Sequence, residues 1–390
     1  MNFYKKTANA LFFSSIDEIS EEIWTSLDCE QNLYFHRNFL KSIEKNHPEI
    51  KFLYIVLIDK NKKPKAFASI QIINFYFENV QNELKFHLQK LRSFGQKIYL
   101  LPKKKPLQLL ICGNTFVSGE HGLFIHQHQD KKKSINEMAQ AILHFVDLDV
   151  SLKIDAFLFK DFINESLSIT DELKKYNYHP FLVEPNMVLN LHENWRNFDD
   201  YLASMKTKFR VKAKKALQLS AAIKIEEVIL RNIETQLPKM TALYQKVATK
   251  ANFNLGDFNL ATYQDLKENF GDQYILKTYW LQGEIVGFMS GLINENSLDA
   301  HFVGIDYNLN REHAIYQRML YDYIEIAIKK NLKTINFGRT ASEIKSSVGA
   351  TPQDLTMYVR HKKSITNRIL KLFLQRVQPT SFQQKFPFKN

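Results

Sequence analysis

The sequence predicts an α/β protein with mixed sheets, divided into two domains. Three observations carry this. Runs of β-branched and aromatic residues alternate with segments of helical apolar period along most of the chain. The order strand, strand, helix, strand, helix, strand in the first half returns as a theme in the second. At 390 residues the chain exceeds what one core usually organises.

In chain order, His36–Asn46 reads as a helix. Lys51–Ile58 and Lys65–Phe75 read as strands joined at Asn61-Lys62-Lys63-Pro64, which suggests a hairpin. Asn79–Phe94 is helical and mixed in polarity, and Lys103-Lys104-Lys105-Pro106 is a basic loop. Leu107–Gly113 is a strand of interior character, and Asn114–His128 is irregular. Ser134–Asp147 is an amphipathic helix, Ile154–Phe159 a strand, Asn164–Lys175 a helix and Phe181–Leu191 a strand. The first domain is expected over 1–185, the second over 186–361, and a basic tail over 362–390. No Gly/Ser-rich or Pro-rich linker separates the halves.

In the second half, Phe198–Ala222 reads as one or two basic helices and Ile223–Leu230 as a strand. Glu234–Lys250 and Asn259–Phe270 read as helices. Tyr274–Leu281 and Ile285–Ile293 form a hairpin around Gln282-Gly283-Glu284. Ser297–Ile305 is a strand, followed by a loop punctuated by Asn308 and Asn310. From about Glu312 a helix carries Ile315, Met319, Leu320, Tyr323 and Ala327 on one face. Leu332–Phe337 is a short interior strand, and Met357–Arg360 adds a last one. The two strands around that helix are expected to be parallel neighbours joined by a crossover.

A strand ending in Gly338-Arg339-Thr340 brings polar groups to the carboxyl end of a sheet, where α/β proteins bind ligands. Arg339 offers a planar fork suited to carboxylate or phosphate, and Lys345 follows six residues on. The plain alternative is a glycine-ended strand with solvated charges, or with Glu343 or Asp354 neutralising one of the cations.

The run Phe337-Gly338-Arg339-Thr340, Ile344-Lys345, Val348-Gly349-Ala350-Thr351-Pro352 and Leu355 resembles the closing motif of Fem-type and FemAB-like proteins. Upstream, Tyr201-Leu202-Ala203-Ser204-Met205-Lys206-Thr207-Lys208-Phe209-Arg210-Val211-Lys212-Ala213-Lys214-Lys215-Ala216 resembles the opening of that family's second domain. The resemblance brackets roughly the second half. It implies two tandem domains of the GNAT (acyl-CoA N-acyltransferase) fold. It also implies an N-acyltransferase acting on an amine of a cell-envelope precursor, such as one of peptidoglycan, or a similar anionic acceptor. The donor is then acyl-CoA or aminoacyl-tRNA, as a substrate and not as a tightly bound cofactor. The glycine-rich turn by which ordinary GNAT proteins hold the CoA pyrophosphate is missing: Asn308-Leu309-Asn310-Arg311-Glu312-His313-Ala314 contains no glycine.

Such a transfer needs positioning, a proton acceptor and oxyanion donors, with no enzyme nucleophile. The base candidates are His301, Asp306 and Tyr307. His301 has an ordinary pKa near working pH but also reads as a core histidine, and Asp306 also reads as a turn cap. Arg339 and Lys345 are the anion-binding candidates, joined by Tyr316 and Arg210. Glu120, His121, His126 and His128 match no metal spacing and read as loop residues, so no metal is expected. No hydrolase elbow, Walker loop or zinc spacing is present.

Fifty-three Lys and Arg against 41 Asp and Glu give +12, which favours an anionic partner. The candidates are a small anionic or lipid-linked substrate and tRNA. No acid lies between Asp200 and Glu226, or after Asp354. The tail places Ile365, Ile369, Leu372 and Phe373 beside Lys362, Lys363, Arg368 and Lys371, which suits either a membrane interface or docking on its own domain. Cys29 and Cys112 read as reduced thiols. With no signal-peptide pattern and no long apolar run, a cytoplasmic protein is expected, with peripheral contact at the inner face of the membrane left open. A binding protein of the same fold, recognising RNA or anionic lipid without catalysis, is the alternative function.

Overall fold

A computed structural model of the chain describes residues 9–76, 106–149, 151–250 and 255–389. The helix expected at Asn79–Phe94 and the basic loop residues Lys103–Lys105 lie outside them. The strands are β1 (Ala10–Phe13), β2 (Lys51–Ile58), β3 (Pro64–Phe75), β4 (Leu107–Cys112), β5 (Leu123–Ile125), β6 (Ala156–Phe162), β7 (His179–Asn190), β8 (Lys224–Glu227), β9 (Tyr274–Leu281), β10 (Glu284–Asn294), β11 (Ser297–Ile305), β12 (Thr334–Asn336) and β13 (Thr351–His361).

The chain divides into two compact units. Unit 1 holds Met1–Glu184, Asn252–Phe258 and Asp354–Pro379; unit 2 holds Pro185–Ala251, Asn259–Gln353 and Thr380–Asn390. This differs from a second half ending at 361 with a separate tail. Residues 354–361 close the sheet of unit 1, and the stretch after 361 is shared between the units. Hydrogen-bond pairing decides this: Thr356–His361 of β13 pair antiparallel with β6.

In unit 1 the strand order is β1-β2-β3-β4-β6-β13, with β5 on β3. All neighbours are antiparallel except β4 and β6, which run parallel. The helix Lys131–Leu148 lies between these two in sequence. Asp130 caps it, its carboxylate accepting from the Lys133 N–H at 3.0 Å. Its apolar face, Ile135, Met138, Ile142 and Phe145, packs in one core with Ile55, Ala68, Ile70 and Tyr358.

Unit 2 repeats the plan. Its order is β8-β9-β10-β11-β12-β7, with β11 and β12 the parallel pair. The register is Ser297↔Thr334, Leu298↔Ile335 and Asp299↔Asn336. The crossover helix Ile315–Lys329 buries Ile315, Met319, Leu320, Tyr323 and Ala327, the face read from the sequence. This mixed α/β architecture, with a similar strand order in each unit, agrees with the expected fold class.

Some local expectations change. The loop after β11 is a second helix, Tyr307–His313, because the Asp306 carboxylate caps it, accepting from the Asn308 N–H at 3.0 Å. Ala314, at φ +47°, breaks it from the crossover helix. The helix expected at Asn164–Lys175 is short turns of two helical types. The stretch expected to be irregular contains β5. The tail contributes one helix, Ser364–Leu374.

Helix Leu230–Ala248 packs closely on β11, and Gly304 permits it. A Cβ there would stand 2.7 Å from the Leu243 Cβ and 2.3 Å from a Phe288 ring carbon. Gly304→Ala is therefore expected to destabilise the protein by about 1–3 kcal/mol. Urea unfolding followed by circular dichroism measures this; an unchanged midpoint would contradict the close approach.

Candidate functional site

The parallel pair of unit 2 parts at its carboxyl end. After Asp299↔Asn336, β12 stops while β11 runs on to Ile305. Within that free length β11 bulges: Gly291 faces Ala300 and Met289 faces Val303, so His301 and Phe302 both oppose Ser290. The Ser290 hydroxyl secures the bulge, donating to the Phe302 carbonyl and accepting from its N–H, each at 3.0 Å.

From β12 the chain stays on β7 for one more step, the Phe337 N–H donating to the Met187 carbonyl at 2.8 Å. It then turns through Gly338 (φ +73°), Arg339, Thr340 (φ +63°) and Ala341 (φ +50°). Left-handed backbone at a β-branched residue is strained, by roughly 1–3 kcal/mol, and persists only where the surroundings enforce it. Lys345 enforces it here. It sits in the short helix Ser342–Ser347 and is only 4% exposed. Its Nζ donates to the Gly338 carbonyl at 3.1 Å and the Arg339 carbonyl at 2.6 Å. Burial pushes its ammonium down from the ordinary value to about 7. A neutral amine keeps two N–H donors, enough for both carbonyls.

Beside this loop lies a cavity of about 560 Å³, the size of a small-ligand site. Phe209 and Lys212 come from helix Thr207–Leu219, Tyr321 from the crossover helix, Ile344 from the short helix, and Phe382 and Lys385 from the C-terminal strap. The strap is fastened at several points. The Lys206 N–H donates to the Pro387 carbonyl at 2.7 Å, and the Lys389 N–H to the Ser204 carbonyl at 3.0 Å. The Lys385 N–H donates to the Ser346 hydroxyl at 3.0 Å. The Phe388 ring packs on Trp195 and Tyr201, with centroids 5.1 and 5.8 Å apart. Gly349, at φ +106°, leaves room for it: a Cβ there would be 2.3 Å from that ring.

The structure distributes the sequence candidates over several places. Arg339 and Lys345 share the strained loop, but the Lys345 amine is turned to backbone carbonyls. Glu343 pairs with Lys385 at 3.0 Å. Arg210 is half-buried beside Phe209, with Nη1 3.4 Å from the Met205 carbonyl. His301 is half-buried at the bulge, its ring 4.2 Å from that of Phe302. Asp306 lies seven residues beyond the last β12 partner, roughly 20 Å further along the strand. There it caps a helix and pairs with Lys246 at 3.4 Å. The Tyr307 ring is covered by the Lys250 Nζ at 3.4 Å. Tyr316 stands at the start of the crossover helix, its N–H bonded to Asn310 Oδ1 at 2.8 Å, and burial raises its hydroxyl. In unit 1, His121 stacks on Tyr34 at 3.9 Å, apart from the exposed turn carrying His128. Among the described residues no three His, Cys, Asp or Glu are grouped to hold a metal ion.

Two features escaped the sequence reading. Phe382 and Lys385 gave no signal, because the acid-free tail looked like one unit. The polar row along the paired residues of β11 and β12, up to where they part, also went unseen. There the Ser297 hydroxyl donates to Asp299 at 2.8 Å, and the Asn336 amide donates to both residues.

Residues 110–388 match the FemAB-like family, described as peptidoglycan biosynthesis/recognition. No curated protein matches the chain. Among solved structures, FemX shares the fold at TM-score 0.53 and 11% identity, over 90% of this chain and 98% of that one. A tandem GNAT protein from the clavulanic acid biosynthesis pathway does so at 0.51 and 9%, over 90% and 98%. L-PGS from Bacillus licheniformis does so at 0.50 and 10%, over 94% and 99%. At these identities the likeness shows the fold, which is that of tandem GNAT proteins. Family and fold together point to a transferase. The chain belongs to the FemAB-like family.

Proposed function

We propose that the protein transfers an acyl or aminoacyl group to an amine of a cell-envelope precursor, with aminoacyl-tRNA as the donor. The observation that carries this reading is the strained Gly338–Ala341 loop, pinned by a buried lysine at the wall of a ligand-sized cavity in a FemAB-like fold. Strain of this kind is kept where geometry matters to function. In the transfer the acceptor amine attacks the acyl carbonyl carbon. The C–N bond forms, the ester C–O bond breaks, and the proton lost by the amine leaves with the ribose hydroxyl. The protein's part is orientation. Lys345 is a positioning residue that fixes the carbonyls flanking Arg339. Lys212 on the cavity wall and Arg339 in the adjoining loop supply positive charge for the carboxylates or diphosphate of a wall precursor.

The donor assignment rests on Asp306. In an ordinary acyl-CoA site the loop before the crossover helix offers free N–H groups to the pyrophosphate. Here Asp306 folds that loop into the helix Tyr307–His313, its carboxylate already taking the Asn308 N–H, and the Asn310 side chain takes the Tyr316 N–H at the start of the crossover helix, so neither N–H is offered to a diphosphate. The exposed Lys208, Lys214 and Lys215 of helix Thr207–Leu219 suit contact with tRNA phosphates. One observation favours recognition without transfer: Asp306 and Lys345 are both engaged with backbone.

The test is formation of the amide product from nucleotide-linked and lipid-linked wall precursors, with aminoacyl-tRNA or acyl-CoA offered as donor. Product with aminoacyl-tRNA alone is expected. Precursor binding without product from either donor would establish the non-catalytic reading.

Lys345→Met should lower kcat at least tenfold with little change in KM, since the loop loses its pin while the cavity walls remain. The substitution should also alter the pH dependence of stability. Between about pH 7 and the ordinary lysine value, the unfolded chain holds a proton that folded Lys345 lacks, so wild-type stability rises with pH in that window. The variant should lack this rise in denaturant titrations at several pH values. Parallel curves would mean that Lys345 keeps an ordinary pKa.

Deleting Thr380–Asn390 removes Phe382 and Lys385 from the cavity wall. It should raise KM for the acceptor by an order of magnitude or more, and Phe382→Ala with Lys385→Ala should do the same with less loss of stability. Acceptor kinetics unchanged in the double variant would place the substrate elsewhere.

A further inference from the structure

The helix Ser364–Leu374 rests on unit 1 by one side only. Asn367 is buried, its amide oxygen accepting from the His361 N–H at 2.8 Å and its amide nitrogen donating to the Asn177 carbonyl at 2.9 Å. Leu374, seven residues on and so on the same side, is also buried. The opposite side carries Ile365 and Leu372, again seven apart, 65% and 64% exposed. Solvent-facing aliphatics at that exposure, two turns apart on one side, lie outside what helix docking needs. Around them stand Lys362, Lys363, Arg368, Lys371 and Arg376, all exposed. No carboxylate side chain occurs anywhere from Leu355 to the end of the sequence. Among the described residues no helix is long and apolar enough to cross a membrane.

We propose that this outer face is a docking surface for an anionic lipid bilayer. Ile365 and Leu372 insert at the level of the headgroups, and the surrounding Lys and Arg side chains meet lipid phosphates. The chemistry of the face selects this partner. Two aliphatic side chains give too little apolar area for a stable protein interface. A basic face with isolated apolar residues is what an interfacial helix needs: apolar insertion and electrostatic attraction each contribute a modest part, and together they hold. Long Lys and Arg side chains reach phosphate while their methylenes stay against the apolar layer. The helix is held in the fold by Asn367 and Leu374, so docking requires no unfolding. This inference is independent of the transfer reading, because it concerns unit 1 and needs no turnover.

The test is co-sedimentation of the full chain with vesicles of phosphatidylcholine alone or mixed with phosphatidylglycerol. Binding to the mixed vesicles at low salt is expected, weakening as salt rises. Ile365→Ser with Leu372→Ser should lower the partition coefficient about tenfold or more. Arg368→Glu with Lys371→Glu should lower it similarly and remove most of the salt dependence. Neither pair should shift the melting temperature, since all four side chains are exposed. Wild-type protein that stays in the supernatant with anionic vesicles at low salt would overturn the proposal. So would undiminished binding by the Ile365/Leu372 variant, or a concentration-dependent dimer that this variant dissolves. Loss of vesicle binding with intact transfer to soluble precursors would separate this surface from the site in unit 2.

Discussion

A lysine removed from water holds the candidate site together. Burying an ammonium is costly unless hydrogen bonds satisfy it, and proteins commonly respond by lowering its pKa. Lys345 does both, donating to the carbonyls of Gly338 and Arg339 with its pKa brought to about 7. In return those carbonyls are fixed, and Thr340 and Ala341 are kept in left-handed conformations that neither would choose alone. The conformation of the loop follows from this contact. An isosteric apolar side chain would remove the desolvation cost but leave two carbonyls without their donor.

The same architecture has a different outcome in the two units. In unit 2 the parallel strands part beyond Asp299 and Asn336, and a cavity lies beside the end of β12. In unit 1 the corresponding place, beyond Cys112↔Phe159, is filled by the chain itself. Lys160 and Asp161 form a buried ion pair in a bulge of β6, with Asp161 at φ +66°. Lys160 Nζ also donates to the Val117 carbonyl at 2.7 Å, and the Gly119 N–H donates to Asp161 at 3.2 Å. Gly113 lies so close that a Cβ would stand 2.8 Å from that of Lys160. A buried, satisfied ion pair of this kind gives specificity to a core more readily than net stability. Unit 1 thus fills the end of its parallel pair with its own polar groups.

The sequence showed the regular elements well because they are built on period. The strand Ser297–Ile305, the hairpin of β9 and β10 and the face of the crossover helix were legible from apolar spacing, which burial in a sheet or under a helix dictates. The parallel neighbourhood of β11 and β12 followed from the helix between them. What the spacing could not show was set by tertiary contacts. Helix Tyr307–His313 has no buried residue of its own and depends on the Asp306 cap. The tail is a single acid-free run in sequence, yet β13 pairing draws one part to unit 1 while Phe388, seated over Gly349, draws the other to unit 2. That Arg339 and Lys345 belong to one turn after β12 was legible from motif and residue type. The direction of the Lys345 side chain was not, since nothing local distinguishes a lysine facing a ligand from one facing the backbone of its own loop.

The charge excess is used in the same divided way. Lys206 reaches the Phe386 carbonyl at 3.2 Å, Lys389 the Ala203 carbonyl at 2.8 Å, and Lys385 the Glu343 carboxylate, so part of the basic segment and tail binds the strap in place. Lys246 and Lys250 stand over Asp306 and Tyr307. The cations that remain open to solvent on helix Thr207–Leu219 and helix Ser364–Leu374 belong to different units, one beside a cavity and one around two exposed aliphatic residues. A net charge of +12 describes neither surface. A soluble anion at a fixed site is held by a bidentate contact and a shaped wall, whereas an extended anionic layer is held by the number of cations and the apolar area. Helix Ser364–Leu374 lies in the other unit from the loop that Lys345 holds, whereas helix Thr207–Leu219 shares a cavity wall with it.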